Sequence, residues 1–218
     1  MKKIIRQLTT IKYLKFKQIY FRIFYFVRAR FRGTIGFKYP GFSNVQVSQL
    51  SFERSIHSYN AFENKSFTFL NLSKKFDHKI DWNYSQYGKL WTYNLTYFDY
   101  LNQENIEREE ALHLIYDFIE QEENLQDAVE SFPISLRGIN WIKFLTANSI
   151  NDDNINQILY KHYNILLDNI EYHLLGNHLL ENGFSLLFGA YYFQDEQFYS
   201  KAKEILKSEL DEQILDDG

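Results

Sequence analysis

The chain has 218 residues, a net charge of −4 and no cysteine, which excludes disulfides, thiolate zinc sites and cysteine nucleophiles. Its length suits one domain or part of a larger protein. Residues 1–52 contain eleven Lys or Arg and no acidic residue, whereas the rest of the chain has 13 basic and 28 acidic residues. This asymmetry predicts a basic arm beside an acidic body.

Residues 1–32 are predicted to form a basic amphipathic helical arm, because apolar residues recur at helical spacing between Lys and Arg. Arg22 interrupts the most apolar run, so no stretch reaches the roughly 18 apolar residues of a membrane span. No signal peptide pattern is present. Three interpretations stay open for this arm and its residues 2–32. It can lie on an anionic membrane surface, bind a polyanion, or pack on the acidic body with its charges in solvent.

Residues 33–65 break the helical periodicity with Gly, Pro and Ser, which predicts a linker. The body is predicted to span residues 66–218. It begins with a short strand over Ser66 to Asn71. Residues 81–101 then concentrate aromatic side chains. Trp91 and Asn94 are candidates for the wall of a sugar-binding cleft, although an aromatic core layer is the alternative.

From Glu104 to Leu215 the periodicity and the short connectors predict antiparallel helical hairpins and an all-α body. The predicted helices cover 106–123, 134–149, 151–167, 168–193 and 195–215. The second of them carries Arg137, Asn140 and Trp141 on one face, with Ser135 nearby. Such a face can hold a carboxylate and stack a sugar ring. The alternative is an arginine that clamps a helix end or loop carbonyls.

The segment His173 to Gly183, HLLGNHLLENG, combines an apolar back with a polar front, which is typical of a helix that lines a cleft. Asn177 and Glu181 lie one turn apart, and so do His178 and Asn182. His173 and His178 do not have the spacing of a zinc helix. Neither a phosphate-binding glycine pattern nor a G-x-S-x-G elbow occurs. We therefore expect neither a metal nor a cofactor.

Chemically, an Asn-His pair on a cleft helix supplies part of the set that β-elimination on a uronic acid requires. Donors neutralise the sugar carboxylate, and a His or Tyr removes the neighbouring proton. We predict that Arg137, Asn140, Asn177 and His178 converge on one concave surface with aromatics from residues 91–100 nearby.

The ordered motifs WTYNLTYFDYL, SFPISLRGINWIKF and HLLGNHLLENGFSLLFGAYYF resemble the N-terminal domain of the heparinase II/III-like family of polysaccharide lyases. The resemblance covers residues 66–218. It implies an incomplete (α/α) toroid, followed in the family by a catalytic tyrosine and an antiparallel β-sandwich. It makes Asn177 and His178 the catalytic candidates, and Arg137, Asn140, Trp141, Trp91, Asn94, Glu181 and Asn182 the substrate-binding candidates.

The resemblance also implies bacterial surface-polysaccharide metabolism, with an acidic polysaccharide as partner and no nucleic acid. Because the tyrosine and the β-sandwich are expected after Gly218, the chain is expected to be an incomplete lyase. A non-catalytic glycan-binding or structural helical domain is the alternative function. A membrane-surface accessory protein that uses the basic arm is a third. A periplasmic location and a cytoplasmic, membrane-associated one both stay open.

Overall fold

A computed structural model describes residues 14–52 and 60–214 of the chain. Within these ranges the protein is mostly helical, as predicted, with 61% helix. The seven helices described are α1 (Phe16–Thr34), α2 (Lys89–Tyr97), α3 (Arg108–Glu120), α4 (Ser131–Ala147), α5 (Asp153–Asp168), α6 (Asn177–Phe193) and α7 (Glu196–Gln213). Residues 1–13 of the predicted arm, and Leu215 at the predicted end of the last helix, lie outside the described residues.

The all-α prediction is wrong in one respect, because a small antiparallel sheet is present. Its strands are β1 (Phe62–Glu63), β2 (Ser66–Phe69) and β3 (Leu72–Lys75), in the order β1-β2-β3. The strand predicted at this point corresponds to β2, whereas β1 falls within the predicted linker. Of the two four-residue strands, only β2 has buried side chains alternating with more exposed ones, with Phe67 and Phe69 buried. Its neighbours are stabilised by pairing with it, which a local sequence pattern does not reveal.

The segment predicted as a linker contacts the helical body in the part described. The backbone N–H of Ser48 donates to the carbonyl of Tyr192 at 2.7 Å. The Gln49 amide donates to the carbonyl of Thr146, also at 2.7 Å. Val47 packs against the hydrophobic core together with its neighbours. These contacts attach residues 45–50 to the ends of α4 and α6.

Helix α1 lies across the turn that joins α5 to α6. Arg28 and Arg32 both form ion pairs with Asp168 at the end of α5. The Tyr25 hydroxyl donates to the carbonyl of Ile170 at 2.5 Å. The described part of the basic arm therefore packs on the acidic body, which is one of the three interpretations of its sequence.

Two helical hairpins form the centre of the body. Helices α4 and α5 are joined by five residues and α6 and α7 by two, and α4 also packs beside α6. The ring of Tyr163 on α5 fills the space between two glycines. A Cβ on Gly138 of α4 would lie 2.7 Å from this side chain, and a Cβ on Gly189 of α6 would lie 2.4 Å from it. The glycines thus allow the three helices to approach closely around one aromatic ring.

The sixth helix begins later than predicted, at Asn177 rather than at residue 168. Leu175 and Gly176 have φ values of 64° and 60°, which a right-handed helix does not accommodate. The buried carboxylate of Glu209 on α7 accepts a hydrogen bond from the Gly176 N–H at 3.1 Å. His173 therefore lies in the preceding turn, and Asn177 and His178 occupy the first turn of α6.

Candidate functional site

The first turn of α6 presents the two predicted catalytic residues to solvent. Asn177 is exposed and the His178 side chain is 45% exposed. The first N–H groups of a helix have no partner within the helix and carry partial positive charge. This position therefore combines an amide, an imidazole and a helix N-terminus, all of which can interact with an anionic group.

A buried carboxylate lies behind His178. The Nδ1 atom of His178 is 3.3 Å from Oε1 of Glu171, although the two groups are not aligned for a hydrogen bond. Asn182 positions Glu171 by accepting from its backbone N–H at 2.8 Å and donating to its Oε2 at 3.1 Å. The same amide donates to the Ser135 hydroxyl at 3.0 Å. These four residues form a continuous polar network from α4 to the surface.

Four rings form an aromatic row beside this network. The ring centroids of Tyr93 and Tyr97 are 6.0 Å apart, and those of Tyr97 and Phe132 are also 6.0 Å apart. Phe132 then contacts His178, with centroids 4.5 Å apart. Tyr93 and Tyr97 belong to the aromatic-rich segment that was predicted to lie near the pair. Tyr93, Phe132 and His178 are partly exposed, whereas Tyr97 is buried. Partly exposed rings of this kind can stack against sugar rings.

Three carboxyl groups, those of Glu130, Glu171 and Glu181, lie around the aromatic row and make its surroundings negative when they are ionised. Glu130, at the start of α4, accepts hydrogen bonds from the Tyr93 hydroxyl and from Lys89, the latter at 2.6 Å. Burial, reinforced by the bond to Glu130, raises the pKa of Tyr93 to about 12. Burial also raises the pKa values of the Glu171 and Glu181 carboxyls. Both carboxyls therefore take up a proton more readily than exposed glutamates do.

Arg137 and Asn140 do not reach this surface, because both are buried. Arg137 Nη1 donates to the carbonyls of Thr96 and Ala128, at 3.2 and 3.0 Å. Asn140 Nδ2 donates to the carbonyl of Tyr97 at 3.0 Å. These are the contacts of the alternative interpretation, in which the arginine clamps a helix end and a loop. The two side chains hold the C-terminal end of α2, which carries the aromatic row.

The remaining predicted substrate-binding residues are divided between interior and surface. Trp91 and Trp141 are fully buried in the core, as in the core-layer alternative. Asn182 is also fully buried, and it acts on the site through Glu171. Asn94 is partly exposed, and its amide donates to the carbonyl of Leu90 on its own helix. Glu181 is partly exposed, and burial of its carboxyl is the cause of its raised pKa.

Two parts of the site were missed at the sequence level. Glu171 lies seven residues before His178, outside the polar motif, whereas Phe132 lies within the motif SFPISLRGINWIKF but was not among the predicted site residues. Helical spacing does not pair Glu171 with His178, because a turn separates them. The available indication was a glutamate between Ile170 and Tyr172, directly before the motif, since a carboxylate that becomes buried needs a partner.

A cavity of about 430 Å³ lies elsewhere, near the C-terminal end of α4. It is lined by Asn102, Gln103, Arg108 and Lys143 among others, and by none of the predicted site residues. The predicted concave surface that would join Arg137 and Asn140 to the α6 pair is therefore not observed. Among the described residues, no group of three or more His, Asp or Glu is arranged to hold a metal ion.

Comparison with protein-family models finds no match to this chain, and neither does comparison with curated proteins or with solved structures.

Proposed function

We propose that the chain is the N-terminal toroid domain of a lyase that cleaves uronate-containing acidic polysaccharides by β-elimination. The observation that carries the proposal is the partly exposed His178 at the first turn of α6, with the buried Glu171 carboxylate 3.3 Å behind it. A histidine backed by a carboxylate can accept a proton and bear the resulting charge. The resemblance of the sequence to the heparinase II/III-like family supports the same chemistry.

The helical architecture is compatible with the toroid part of the proposal. Short connectors make α4–α5 and α6–α7 successive hairpins, with α4 and α6 side by side. Further hairpins added in the same manner would extend this arrangement into an (α/α) toroid. Helices α4 and α6 would then be inner helices, and the first turn of α6 would lie at the end of the inner layer.

In the proposed reaction, the sugar carboxylate binds at the first turn of α6, where Asn177 and the free N–H groups neutralise its charge. This makes the C5 proton more acidic. His178 removes that proton, the C4–C5 double bond forms and the C4–O bond breaks. The leaving oxygen takes its proton from a separate acid, for which the family resemblance predicts a tyrosine. The products are a free sugar end and a 4,5-unsaturated uronate.

The second candidate is a non-catalytic glycan-binding domain, which the carboxylates around the aromatic row favour. Glu130, Glu171 and Glu181 repel an acidic glycan when they are ionised, whereas they can accept hydrogen bonds from sugar hydroxyls. In this case the rings of Tyr93 and Phe132 would stack on neutral sugars, and no bond of the glycan would be broken.

One panel experiment separates the two functions. The protein is incubated with alginate, hyaluronan, chondroitin sulfate, heparan sulfate and neutral glucans, and the ultraviolet absorbance of unsaturated uronate is recorded. Retardation of the protein in gels that contain each glycan measures binding. Because the acid for the leaving oxygen is expected to be a tyrosine after Gly218, the lyase proposal predicts absorbance with at least one uronate glycan when the domain is tested in a longer chain that supplies this tyrosine. The same longer chain with His178→Ala should lose that signal. Binding to neutral glucans without any absorbance change would favour the second candidate.

A further inference from the structure

Helix α1 has two unlike faces, and only one of them contacts the protein. The side chains that face the body are partly buried and follow a spacing of three and four residues: Gln18, Phe21, Tyr25, Arg28 and Arg32. They bind the α5–α6 turn, for example through the Gln18 amide and the carbonyl of Leu174 at 3.0 Å. No residue of α1 is fully buried.

The opposite face is a continuous apolar stripe, which we call the outward stripe. Its members are between 52% and 82% exposed, and they are Phe16, Tyr20, Ile23, Phe26, Val27 and Phe31. The helix is about 28 Å long at 1.5 Å per residue, so the stripe extends along its whole length. An apolar stripe of this size on the surface of a protein usually marks an interaction site.

The charges around the stripe identify its partner. Arg22, Arg30 and Lys38 are exposed and form no ion pair within residues 14–52 and 60–214. No acidic residue occurs among residues 1–52, and residues 1–13 alone contribute four more Lys or Arg. Large apolar side chains flanked by cations, without anions, fit an anionic lipid surface. There, burial of the apolar side chains and attraction of the cations to the headgroups both strengthen binding.

Other occupants fit the same surface less well. A polyanion would bind the cations but would leave six large apolar side chains in water. A second copy would cover the apolar side chains, but it would bring two arms without acidic residues together, and like charges repel. None of the described helices is long and apolar enough to cross a membrane. The membrane-binding arrangement that fits α1 is therefore a helix lying in the plane of the membrane–water interface.

We propose that α1 attaches the protein to an anionic membrane surface through the outward stripe, with its other face holding the body. The attachment is independent of the proposed lyase activity. Because α1 also contacts the turn before α6, a membrane-bound α1 would keep the His178 surface at a defined position relative to the lipid.

The test is a binding experiment with the 218-residue chain and two kinds of vesicle, phosphatidylcholine alone and phosphatidylcholine with a minority of phosphatidylglycerol. We expect co-sedimentation with the mixed vesicles and much weaker binding to the neutral ones. Ile23→Glu should weaken binding about tenfold or more, because it removes one buried apolar side chain and adds an anion. Leu90→Glu on α2 is the matched control, since Leu90 is 56% exposed and Ile23 is 61% exposed.

The charge contribution is tested separately with the double variant Arg22→Gln and Arg30→Gln. Each cation near an anionic surface strengthens binding by about fivefold, so this variant should lose most of its preference for phosphatidylglycerol. Equal binding by wild type, Ile23→Glu and the double variant would overturn the proposal. The absence of co-sedimentation of the wild-type chain with either kind of vesicle would also overturn it.

A fluorescent reporter distinguishes lipid from other occupants. Trp82, Trp91 and Trp141 are all fully buried, so a Phe26→Trp variant adds the only tryptophan that faces solvent in the described part of the chain. Its emission should shift to shorter wavelength when mixed vesicles are added. An emission already at short wavelength without lipid would overturn the proposal, because another part of the protein would then cover the stripe. A dimer dispersed by Ile23→Glu, with no response to vesicles, would assign the stripe to a second copy instead.

Discussion

Arg137 on α4 donates a hydrogen bond to the carbonyl of Thr96 in the last turn of α2, at 3.2 Å. The last carbonyls of a helix have no partner within the helix, and a cation there also interacts favourably with the helix dipole. Burial lowers the pKa of Arg137 to about 9, so the guanidinium is still charged at neutral pH. The side chain that was predicted to bind a substrate carboxylate thus connects two helices in the interior.

Arg137→Leu should destabilise the protein substantially. The carbonyls of Thr96 and Ala128 would lose their buried donor, and each unsatisfied group costs about 1–3 kcal/mol. Urea denaturation followed by circular dichroism measures the change in the free energy of unfolding. Arg108→Leu is the control, because Arg108 is exposed and should shift the free energy by about 0.5 kcal/mol or less. Unchanged stability with lost glycan binding would instead restore the substrate-binding role.

Gly189→Ala should lower the free energy of unfolding by about 1–3 kcal/mol, because the new methyl group would overlap the Tyr163 ring in a close-packed core. The ideal Cβ lies 2.4 Å from Tyr163 Cε1. Gly33→Ala is the matched control, since nothing lies within 4 Å of its Cβ and alanine favours the helix. Thermal denaturation should therefore give a lower melting temperature for the first variant only. The double variant with Tyr163→Leu should recover part of the loss.

In a longer chain that continues past Gly218 and supplies the expected tyrosine, the proposed function predicts that His178→Ala and Asn177→Ala each reduce the rate of β-elimination about 10²–10³-fold. Because both side chains are partly or fully exposed, the melting temperatures should stay close to that of the wild type. Initial rates and melting curves are recorded on the same samples. Variants that melt early while their folded fraction keeps its activity would contradict the catalytic roles.

Asp168→Asn should make the attachment of α1 weaker and less dependent on pH. Burial alone would raise the pKa of Asp168, but hydrogen bonds from Arg32 and Tyr39 and the charges of both arginines hold it below its ordinary value of 3.8. The stabilisation is therefore present above that value and is lost as the pH falls through the lower folded pKa.

The difference in unfolding free energy between wild type and Asp168→Asn should consequently be constant near neutral pH and shrink in acid. Asp77→Asn changes an exposed carboxylate and should show no such trend. A difference that grows as the pH is lowered would show that folding raises the pKa of Asp168 instead of lowering it.

Glu171→Gln should have the opposite dependence on pH, because burial raises the pKa of Glu171 above its ordinary value of 4.5. A raised carboxyl pKa means that the folded protein loses stability as the pH rises from the ordinary value to the raised one. The glutamine variant lacks this loss. The free energy of unfolding of Glu171→Gln, relative to that of wild type, should thus increase as the pH rises across this window. For Glu63→Gln, on the exposed side of β1, this difference from wild type should stay constant.

Much of the helical framework was predictable, because amphipathic periodicity and short connectors are local properties of the sequence. Helices α3, α4, α5 and α7 lie within a few residues of their predicted bounds. The late start of α6 was not predictable, since the positive φ of Gly176 is accompanied by a hydrogen bond to Glu209, which is 33 residues away.

The sequence by itself determined which helices carry polar side chains on an apolar background, since that follows from the order of residues and the helical repeat. Only the tertiary structure decided which of those side chains meet solvent. Helix α4 is covered by α2, α5 and α6, so Arg137 and Asn140 lie inside and bind backbone carbonyls. The first turn of α6 is left open, and His178 is partly exposed there. Helical spacing defines a face, but whether a neighbour covers that face depends on packing between segments that are distant in the chain.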